Sequence, residues 1–349
     1  MGKFAVRWVF KVKLKPNCSI AKHKARLVAK GFLQKQGIDY TEVYALVARM
    51  ETIRLVIVVP LGFEIKGKEH NVYKLLKALY GLKKASRAWN RLIDNFLGKQ
   101  GFVKCTVEFG VYEKEIQHKN LLFVCLYVDD LIIIGDVNEE IEQFKEKMKL
   151  EFDMIDLGIL HYFLGFEFMH TQKGIFLHQR KYTGEVLKRF NMENCNTASI
   201  LVMPNLKLTE ELDEKSVDAT LFKQIIGSLK FLCNSRPDIS YGVGLFSRFM
   251  GNPRAPHMTG AKHILRYLKR TSDFGLLFPI GNDHNRSCIE AYSDSDWCGD
   301  KVERKSTSGY LFKYMDAPIS WCSKKQSVVT LSSCEAEYIG SAEVACQSL

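Results

Sequence analysis

LLFVCLYVDDLIIIG, residues 121–135, sets two adjacent aspartates, Asp129 and Asp130, inside an otherwise almost wholly apolar run. A carboxylate buried without a partner costs several kcal/mol, so the pair is expected at a turn, beside a cation, or both. The apolar segments on either side have the length and composition of short strands. The stretch therefore predicts a β-hairpin that presents carboxylate oxygens at its tip.

Paired carboxylates at such a tip suit a divalent metal ion. Mg²⁺ takes oxygen ligands and is typically held by one or two carboxylates together with substrate phosphates. An Asp-Asp pair taken alone is more often only a turn, because short motifs recur by chance. The basic residues upstream, and Tyr127 just before the pair, favour the metal interpretation.

The composition indicates a folded protein with a polyanionic partner. The chain has 349 residues, 46% of them hydrophobic, which is enough for two or three cores. Its formal net charge of +11 favours nucleic acid over an acidic membrane surface. Residues 1–35 contain ten basic side chains and no acidic one, so the positive charge is concentrated there.

The cysteine pattern bears on the compartment. Ten cysteines are scattered along the chain with no CxxC pair and no histidine at metal-ligand spacing. This predicts reduced thiols and an intracellular protein. No apolar run reaches the ~18 residues that a membrane helix needs, and the start lacks a signal-peptide pattern. We therefore expect a soluble protein with no membrane partner.

Two alternating segments near the start predict a second hairpin. In residues 8–14 and 24–30, basic side chains alternate with apolar ones, and PNCS at 16–19 supplies a turn. The shared basic face comprises Lys11, Lys13, Lys15, Lys24, Arg26 and Lys30. Such a face either binds an anion or is solvated and protects an edge strand from aggregation.

Helical periodicity marks the segments that flank the aspartates. Residues 86–97 are predicted to form a helix. Its inward positions are Trp89, Leu92, Ile93, Phe96 and Leu97. Another face, which either holds phosphates or is solvated, carries Lys84, Arg87 and Arg91. A helix capped by Asn138 follows the aspartates, with glutamates early and lysines late.

The rest of the chain is mainly helical and then returns to strands. The predicted helices are 179–190, 219–233, 239–250 and 257–270. The predicted strands are 289–293, 309–314 and 319–324, followed by a helix from Ser333. Alternating strands followed by a helix indicate an α/β domain at the end of the chain.

YVDD in an apolar hairpin resembles the catalytic box of reverse transcriptases, and longer motifs narrow the family. They are WVFKVKLKPNCSIAKHKARLVAKGFLQKQGIDY, LYGLKKASRAWN, DLGILHYFLG, RPDISYGV, YSDSDWCGD, RKSTSGY, ISWCSKKQS and LSSCEAEY. In this order they resemble the polymerase and ribonuclease H region of copia-type LTR retrotransposon polyproteins. The resemblance covers nearly the whole chain.

The resemblance implies an α+β fold, a right-hand polymerase joined to a ribonuclease H-like domain. The implied segments are fingers and palm at 1–160, a thumb-like segment at 161–205, a helical connection at 206–285 and the N-terminal half of an α/β ribonuclease H-like domain at 286–349. The implied activities are RNA-directed DNA polymerisation and hydrolysis of the RNA strand of a hybrid, with Mg²⁺ or Mn²⁺. The implied partners are an RNA template, a DNA primer, an RNA–DNA hybrid and dNTPs.

The resemblance also implies roles for individual residues. Asp129 and Asp130 match palm metal ligands, with Asp129 the stronger candidate. Asp294 of YSDSD and Glu337 of CEAEY match metal carboxylates of ribonuclease H. If either motif stood alone, the better explanation would be a loop-entry acid for Asp294 and a solvated helix acid for Glu337. Two-metal phosphoryl transfer needs carboxylates that converge from separate segments. The implied nucleotide- and nucleic-acid-binding residues are Lys13, Lys24, Arg26, Lys84, Arg87, Arg91 and Tyr127.

Two departures from the family pattern lower the expected activity. The family's palm carries another aspartate in a segment reading roughly LDVxxAFLxG, but here no aspartate lies between Asp39 and Asp94, and Val59 runs directly into Pro60. The family's ribonuclease H also continues past the CEAEY helix, whereas this sequence ends at Leu349. We therefore expect an incomplete, catalytically impaired copy.

Three interpretations stay open at this level. The first is a reverse transcriptase and ribonuclease H fragment with impaired catalysis. The second is a non-catalytic, nucleic-acid-binding remnant of a retroelement, and the third is a product without function. The family implies a location in the cytoplasm, within a virus-like particle, or in the nucleus, and the oligomeric state is left open.

Overall fold

The computed structural model describes residues 6–14, 20–29, 85–116, 120–203, 208, 215–279, 288–300 and 302–348. The chain divides into two compact units, residues 1–159 and 160–349. Each unit is described by itself below. Lys84 and the junction between Val59 and Pro60 lie outside the described residues.

The first unit contains a two-stranded hairpin, a four-stranded antiparallel sheet and two helices in its described part. The hairpin pairs β1 (Val6–Leu14) with β2 (Ile20–Ala29). The other elements are α1 (Ala85–Lys99), β3 (Val103–Lys104), β4 (Val111–Glu115), β5 (Leu121–Tyr127), β6 (Asp130–Gly135) and α2 (Asn138–Glu151). The sheet order β3-β4-β5-β6 follows the chain, so the strands form a meander.

The core of the first unit joins this sheet to α1 and α2. Leu122 and Val124 are buried at alternate positions of β5. The buried cluster is Ile93, Leu97, Phe102, Tyr112, Leu122, Val124, Phe144, Met148 and Phe152. Leu92, which the period placed inward, is 52% exposed because it lies at the margin of the stripe carrying Ile93 and Leu97. The alternation thus fixes the β5–β6 hairpin on the helices.

The start of α2 differs from the prediction. The helix begins at Asn138, its N-cap residue is Val137, and no side chain caps it. The predicted capping role of Asn138 is therefore wrong. Glu139 and Glu140 in the first turn supply the negative charge that a helix N-terminus favours.

The second unit begins with a four-stranded antiparallel sheet and a layer of helices. Up to residue 279 its elements are β7 (Tyr162–Phe163), β8 (Phe166–Thr171), β9 (Gly174–His178), α3 (Arg180–Arg189), α4 (Ala219–Leu232), a 3₁₀ turn (Pro237–Ile239), α5 (Ser240–Ser247), α6 (Ala255–Arg270) and β10 (Gly275–Pro279). The order β10-β9-β8-β7 pairs β10 with β9, so the segments predicted as thumb-like and connecting share one sheet. The domain boundaries themselves stay predictions.

The helices of the second unit bury the larger apolar cluster. Phe222, Phe246 and Ile264 are fully buried within it. The α6 backbone comes so close to Phe246 that a Cβ at Gly260 would lie 2.1 Å from the phenylalanine ring. A side chain at this position would separate the helices, so the glycine is a packing requirement.

A three-stranded antiparallel sheet and a helix complete the second unit. They are β11 (Ile289–Ser295), β12 (Thr307–Tyr314), β13 (Ala317–Lys325) and α7 (Ser333–Ser348). Trp321 Nε1 donates to the carbonyl oxygen of Cys233 at 2.9 Å, and Arg248 Nη2 donates to Thr307 Oγ1 at 2.9 Å. These bonds join the sheet to the helical layer.

The predicted α+β class is confirmed in its coarse form, since helices combine with antiparallel sheets. The division into fingers, palm, thumb, connection and ribonuclease H stays a prediction. No helix among the described residues is long and apolar enough to cross a bilayer. The nine cysteines in the described ranges are free thiols.

Candidate functional site

Asp129 lies in a two-residue turn of the hairpin, and Asp130 is the first residue of the strand that follows. β5 and β6 pair from Leu122 opposite Gly135 to Tyr127 opposite Asp130, which leaves Val128 and Asp129 as the turn. Val128 has φ 54°, a left-handed conformation that two-residue hairpins need but a β-branched side chain rarely adopts. The hairpin predicted around YVDD is thus present.

The turn explains how this run accommodates two carboxylates. Asp129 and Asp130 are both exposed, whereas Leu122 and Val124 further along the same hairpin are buried. Water therefore solvates the charges and the desolvation cost is avoided. The carboxylate oxygens stand at the tip of the hairpin, where a metal ion and a phosphate group have access to them. Tyr127, directly before the turn, is 53% exposed.

Helix α1 contacts this turn directly. Trp89 Nε1 donates a 2.6 Å hydrogen bond to the carbonyl oxygen of Val128. The indole ring also meets Phe152 edge-on, with 5.3 Å between ring centroids. Arg87, partly buried, and Arg91, exposed, lie one helical turn apart on α1. The helix thus brings basic side chains into the unit that carries the acidic turn, whereas Lys84 lies outside the described residues.

An ionic cluster holds α1 on the sheet. Asp94 Oδ1 accepts hydrogen bonds from Lys104 Nζ at 3.0 Å and from the Tyr112 hydroxyl at 2.8 Å. Burial acts to raise the pKa of Asp94, but the two hydrogen bonds and the lysine charge outweigh it and lower the pKa below its ordinary value. Burial, followed by the bond to Asp94, raises the pKa of Tyr112. Both groups are therefore held in the protonation states that the cluster needs at neutral pH.

The basic hairpin brings lysines opposite each other. Across the antiparallel pair, Lys11 is the partner of Lys24 and Lys13 is the partner of Lys22, while Arg26 is opposite Val9. Residues directly opposite in such a ladder belong to the same face, and like charges there repel. The register thus places Lys11, Lys13, Lys24 and Arg26 of the predicted basic face on the same side of the hairpin, whereas Lys15 and Lys30 lie outside the described residues.

The second pair of candidate carboxylates lies on β11 and α7. Asp294 is exposed and is paired with Gly309 of β12. Glu337 Oε1 accepts a 3.2 Å hydrogen bond from the backbone N–H of Ser295, the residue next to Asp294. At Gly340 a Cβ would lie 2.4 Å from Ser295 Oγ, so the glycine lets α7 approach β11. The fold thus brings the helix acid to the strand that bears Asp294.

A cleft of about 480 Å³ opens beside Asp294. Tyr241 of α5, Tyr310 of β12 and Trp321 of β13 contribute to its lining. Asp296 also lines it, but Asp296 Oδ1 accepts a 2.7 Å hydrogen bond from the Thr307 N–H and so supports the following turn. The sequence did not predict this cleft, because its wall is built from strands and a helix distant in the chain.

Among the described residues, the carboxylates that could bind a hard metal ion such as Mg²⁺ occur at most two together. In the ranges that the structure describes, no group of three or more His, Cys, Asp or Glu side chains is placed to hold a metal. Mg²⁺ is often bound by one or two carboxylates with phosphate oxygens completing its coordination. Asp129 and Asp130 supply two adjacent carboxylates, whereas Glu337 contacts the backbone beside Asp294 and not its carboxylate in any described contact.

The sequence pattern did not predict that Trp89 contacts the turn. Its helical spacing indicated only a core position, and the ring does pack on Phe152. The hydrogen bond to Val128 joins residues 39 positions apart, so no local pattern reveals it. The available signal was the LYGLKKASRAWN motif that contains the residue.

The first unit combines an antiparallel sheet backed by helices, an acidic turn at a hairpin tip and a helix with basic side chains. This combination fits the class of retroelement polymerases. The sequence profile described as reverse transcriptase (RNA-dependent DNA polymerase) matches residues 3–60 and 56–204, more than half of the chain. The chain therefore belongs to the reverse transcriptase (RNA-dependent DNA polymerase) family.

Curated relatives confirm the resemblance to copia-type Pol polyproteins. The chain is 37% identical over 97% of its length to a retrovirus-related Pol polyprotein from transposon TNT 1-94 of Nicotiana tabacum, and 36% identical over 95% to that from transposon RE1 of Arabidopsis thaliana. It spans about a quarter of these two polyproteins, 28% and 24%. A putative transposon Ty5-1 protein of Saccharomyces cerevisiae is 31% identical, and the match covers 92% of that protein. No solved structure gave a significant match.

The tobacco alignment has one further property. It extends over 376 positions, more than the 349 residues of this chain. The relative therefore has residues with no counterpart here.

Replacing Asp94 by Asn should make the first unit less sensitive to acid. Because the folded pKa is lowered, the carboxylate stabilises the fold above its unfolded pKa of ~3.9, and this stability is lost as pH falls through the folded pKa. Lys104 and Asp94 are partly exposed, so the contribution at neutral pH is expected to stay below ~1 kcal/mol. Urea unfolding of parent and variant from about pH 7 to about pH 3 measures the difference.

The matched control is Glu113→Gln, which removes an exposed carboxylate from β4. Its effect on the free energy of unfolding should vary less with pH than that of Asp94→Asn. Parallel pH profiles for the two variants would show that the Asp94 cluster does not carry the acid response.

Proposed function

We propose that this chain carries the nucleotide-transfer site of a retroelement reverse transcriptase in an impaired form, together with a ribonuclease H-type site. The observation that carries the proposal is the exposed Asp129–Asp130 pair at the tip of a hairpin whose strands are anchored in the core. Membership of the reverse transcriptase family supports it. RNA template, DNA primer and dNTPs are the proposed partners.

In this proposal Asp129 and Asp130 hold a divalent metal ion and, through it, the phosphates of an incoming dNTP. Mg²⁺ or Mn²⁺, when bound, would stabilise charge on the phosphate oxygens during in-line displacement. The protein's own contribution is to keep the two carboxylates exposed and fixed on a hairpin anchored in the core. Arg87 and Arg91 on α1 are proposed to contact phosphates, and Tyr127 the nucleotide or primer, because they belong to the unit that carries the turn.

The basic hairpin supports a polyanionic partner on physical grounds. Lys11 opposite Lys24 and Lys13 opposite Lys22 place like charges in direct register, which destabilises an isolated hairpin. A phosphate backbone along that face relieves the repulsion and releases its own counterions. Lys13, Lys24 and Arg26 are therefore proposed to contact the template or the triphosphate.

Binding to RNA or DNA should weaken as salt rises and should depend on the hairpin. Replacing Lys24 and Arg26 together by Ala removes up to two phosphate contacts, so the slope of log K against log salt should fall in magnitude by up to about 1.8 for duplex DNA. Fluorescence anisotropy with a labelled oligonucleotide across a salt titration measures this slope. The parent should bind without sequence preference.

A charge-matched control is the double variant Lys147→Ala with Lys173→Ala, which removes two exposed lysines outside the hairpin. Its affinity should fall less than that of the hairpin variant. If the two double variants behave alike, net charge explains the binding and the assigned hairpin contacts are wrong.

Impairment is proposed because a palm carboxylate has no counterpart here. The profile match falls into two pieces that meet at residues 56–60, where the LDVxxAFLxG segment was expected. The alignment with the tobacco polyprotein covers 376 positions, so that relative has residues that this chain lacks. Two-metal transfer needs convergent ligands, so the loss should weaken metal binding and misplace the triphosphate.

The chain as given should extend no labelled primer on an RNA template, in Mg²⁺ or in Mn²⁺. Each ~1.4 kcal/mol of lost transition-state stabilisation lowers the rate tenfold, so one missing ligand with its backbone suffices to abolish detectable product. Insertion of an LDV-type segment between Val59 and Pro60 should restore extension. The restored activity should vanish with Asp129→Asn.

Primer extension by the unmodified chain that is lost in Asp129→Asn would overturn the impairment but support the metal role of the turn. Extension restored by the insertion yet unchanged by Asp129→Asn would overturn that role instead. The two parts of the proposal therefore fail separately.

A ribonuclease H-type site is the second proposed activity, favoured by the contact between Glu337 and the Ser295 backbone next to Asp294. We propose Asp294 and Glu337 as metal carboxylates that face an RNA–DNA hybrid. Two carboxylates fall short of the several that two-metal hydrolysis needs, and the described residues provide no larger cluster.

Hybrid-dependent RNA cleavage by the full chain should therefore not exceed that of the Asp294→Asn variant, with either metal. The measurement is gel analysis of a labelled RNA strand in a hybrid, with single-stranded RNA as the substrate control. Cleavage of the hybrid by the parent that disappears in Asp294→Asn would contradict the expected inactivity while supporting the site.

The alternative proposal, a non-catalytic nucleic-acid-binding remnant, predicts the same salt-dependent binding. It is favoured by the like-charge register of the hairpin, which a bound anion would stabilise without any metal. The two proposals differ in the insertion experiment, because a remnant without a competent metal turn would gain no Asp129-dependent activity.

A further inference from the structure

The hydrogen bond between Trp89 and the acidic turn has no role in the proposed contacts with substrate. Trp89 Nε1 lies 2.6 Å from the carbonyl oxygen of Val128, the residue immediately before Asp129. Indole offers a single donor and no acceptor, so its direction is fixed by the position of the ring. The bond therefore locates one backbone atom of the turn relative to α1.

The turn has features that make an external support useful. Val128 adopts φ 54° although it is β-branched, and this conformation costs free energy unless its surroundings hold it. Its side chain is 58% exposed, so packing does little to fix it. A relaxed turn would rotate the Val128–Asp129 peptide and redirect the Asp129 side chain.

Trp89 is itself held in place. Its ring meets Phe152 edge-on, and Phe152 meets Phe96 in the same way at 5.1 Å between centroids. The helix that bears Trp89 is held on the sheet by Asp94, Lys104 and Tyr112. The donor is therefore held by contacts of α1 and Phe152 as well as by its own bond to the turn.

We propose that Trp89 is a positioning residue that holds the Val128–Asp129 turn in its left-handed form and thereby orients the Asp129 carboxylate toward a divalent metal ion. Its metal-binding consequence rests on the proposed function of the turn. Residues that orient metal ligands without touching the metal typically change its affinity 10- to 100-fold, which sets the scale of the effect.

The first experiment measures the turn without any metal or substrate. Hydrogen–deuterium exchange of the full chain, read by mass spectrometry on peptides spanning residues 121–135, is compared for parent and Trp89→Phe. Phenylalanine keeps an aromatic ring against Phe152 but lacks the N–H. Exchange at the turn should become about tenfold faster in Trp89→Phe, because a turn that loses its hydrogen bond opens more often.

Two controls separate the hydrogen bond from other effects. Trp297→Phe removes a different indole-to-carbonyl bond, from Trp297 Nε1 to the Thr330 carbonyl oxygen at 3.3 Å in the second unit, and should leave the turn unchanged. Phe144→Leu weakens the same core at a ring that contacts Phe102 instead of Trp89, and should lower the melting temperature with less effect on the turn. The proposal is overturned if hydrogen exchange at the turn in Trp89→Phe equals that of the parent. It is also overturned if either control exchanges as fast at the turn as Trp89→Phe.

The second experiment measures Mn²⁺ affinity by electron paramagnetic resonance in an Asp294→Asn background, which weakens the other candidate site. Asp129→Asn in that background identifies the signal that belongs to the turn. Trp89→Phe should weaken this binding about tenfold. If Trp89→Phe exchanges faster at the turn but binds Mn²⁺ with unchanged affinity, the metal-orienting part of the proposal is overturned.

The outcomes also separate this inference from the proposed function. If the parent shows no Mn²⁺ binding that depends on Asp129, the metal role of the turn is contradicted, and so is the orienting part of the inference. Faster exchange in Trp89→Phe would still establish the support of the turn. Normal exchange with normal Asp129-dependent binding would remove the role of Trp89 and leave the proposed function standing.

Discussion

The constraint on which the first unit depends is that two carboxylates must stay in water while the strands on both sides are anchored in a core. The meander satisfies it with a two-residue turn, the shortest connection that keeps β5 and β6 paired up to Tyr127 and Asp130. Any longer excursion would separate the aspartates from the rigid strands. The cost appears at Val128, whose left-handed backbone is unfavourable for a β-branched residue, and Trp89 contacts that residue's carbonyl.

Electrostatics divides the first unit into regions of opposite sign. The turn concentrates negative charge, whereas α1 carries Arg87 and Arg91, and the β1–β2 register sets lysine against lysine. Lysines face each other across the β1–β2 ladder, where like charges repel, and the two aspartates are adjacent acids exposed to water. Under the proposed function, a nucleic acid accompanied by a divalent cation would bring opposite charge to both regions.

Local patterns predicted what local forces determine. The two short apolar runs around the adjacent aspartates located the hairpin and its turn. The 3.6-residue period located α1, although Leu92 proved half exposed at the edge of its stripe. The capping role given to Asn138 was wrong because boundary assignments depend on backbone geometry one residue away. The pairing of β10 with β9, the Trp89 bond and the cleft beside Asp294 escaped prediction because each joins residues far apart in sequence.

The two carboxylate pairs differ in how the fold assembles them. Asp129 and Asp130 are adjacent in sequence, so one hairpin places both and a change elsewhere in the unit leaves them together. Glu337 reaches the backbone next to Asp294 only because α7 docks on β11, a docking that Gly340 permits and the Ser295 N–H supports. In the proposed function, a segment missing between Val59 and Pro60 would remove a partner ligand and leave the acidic turn well formed. Formation of the turn and competence of the reaction centre are separate properties, because the first is encoded within fifteen residues and the second requires convergence of distant ones.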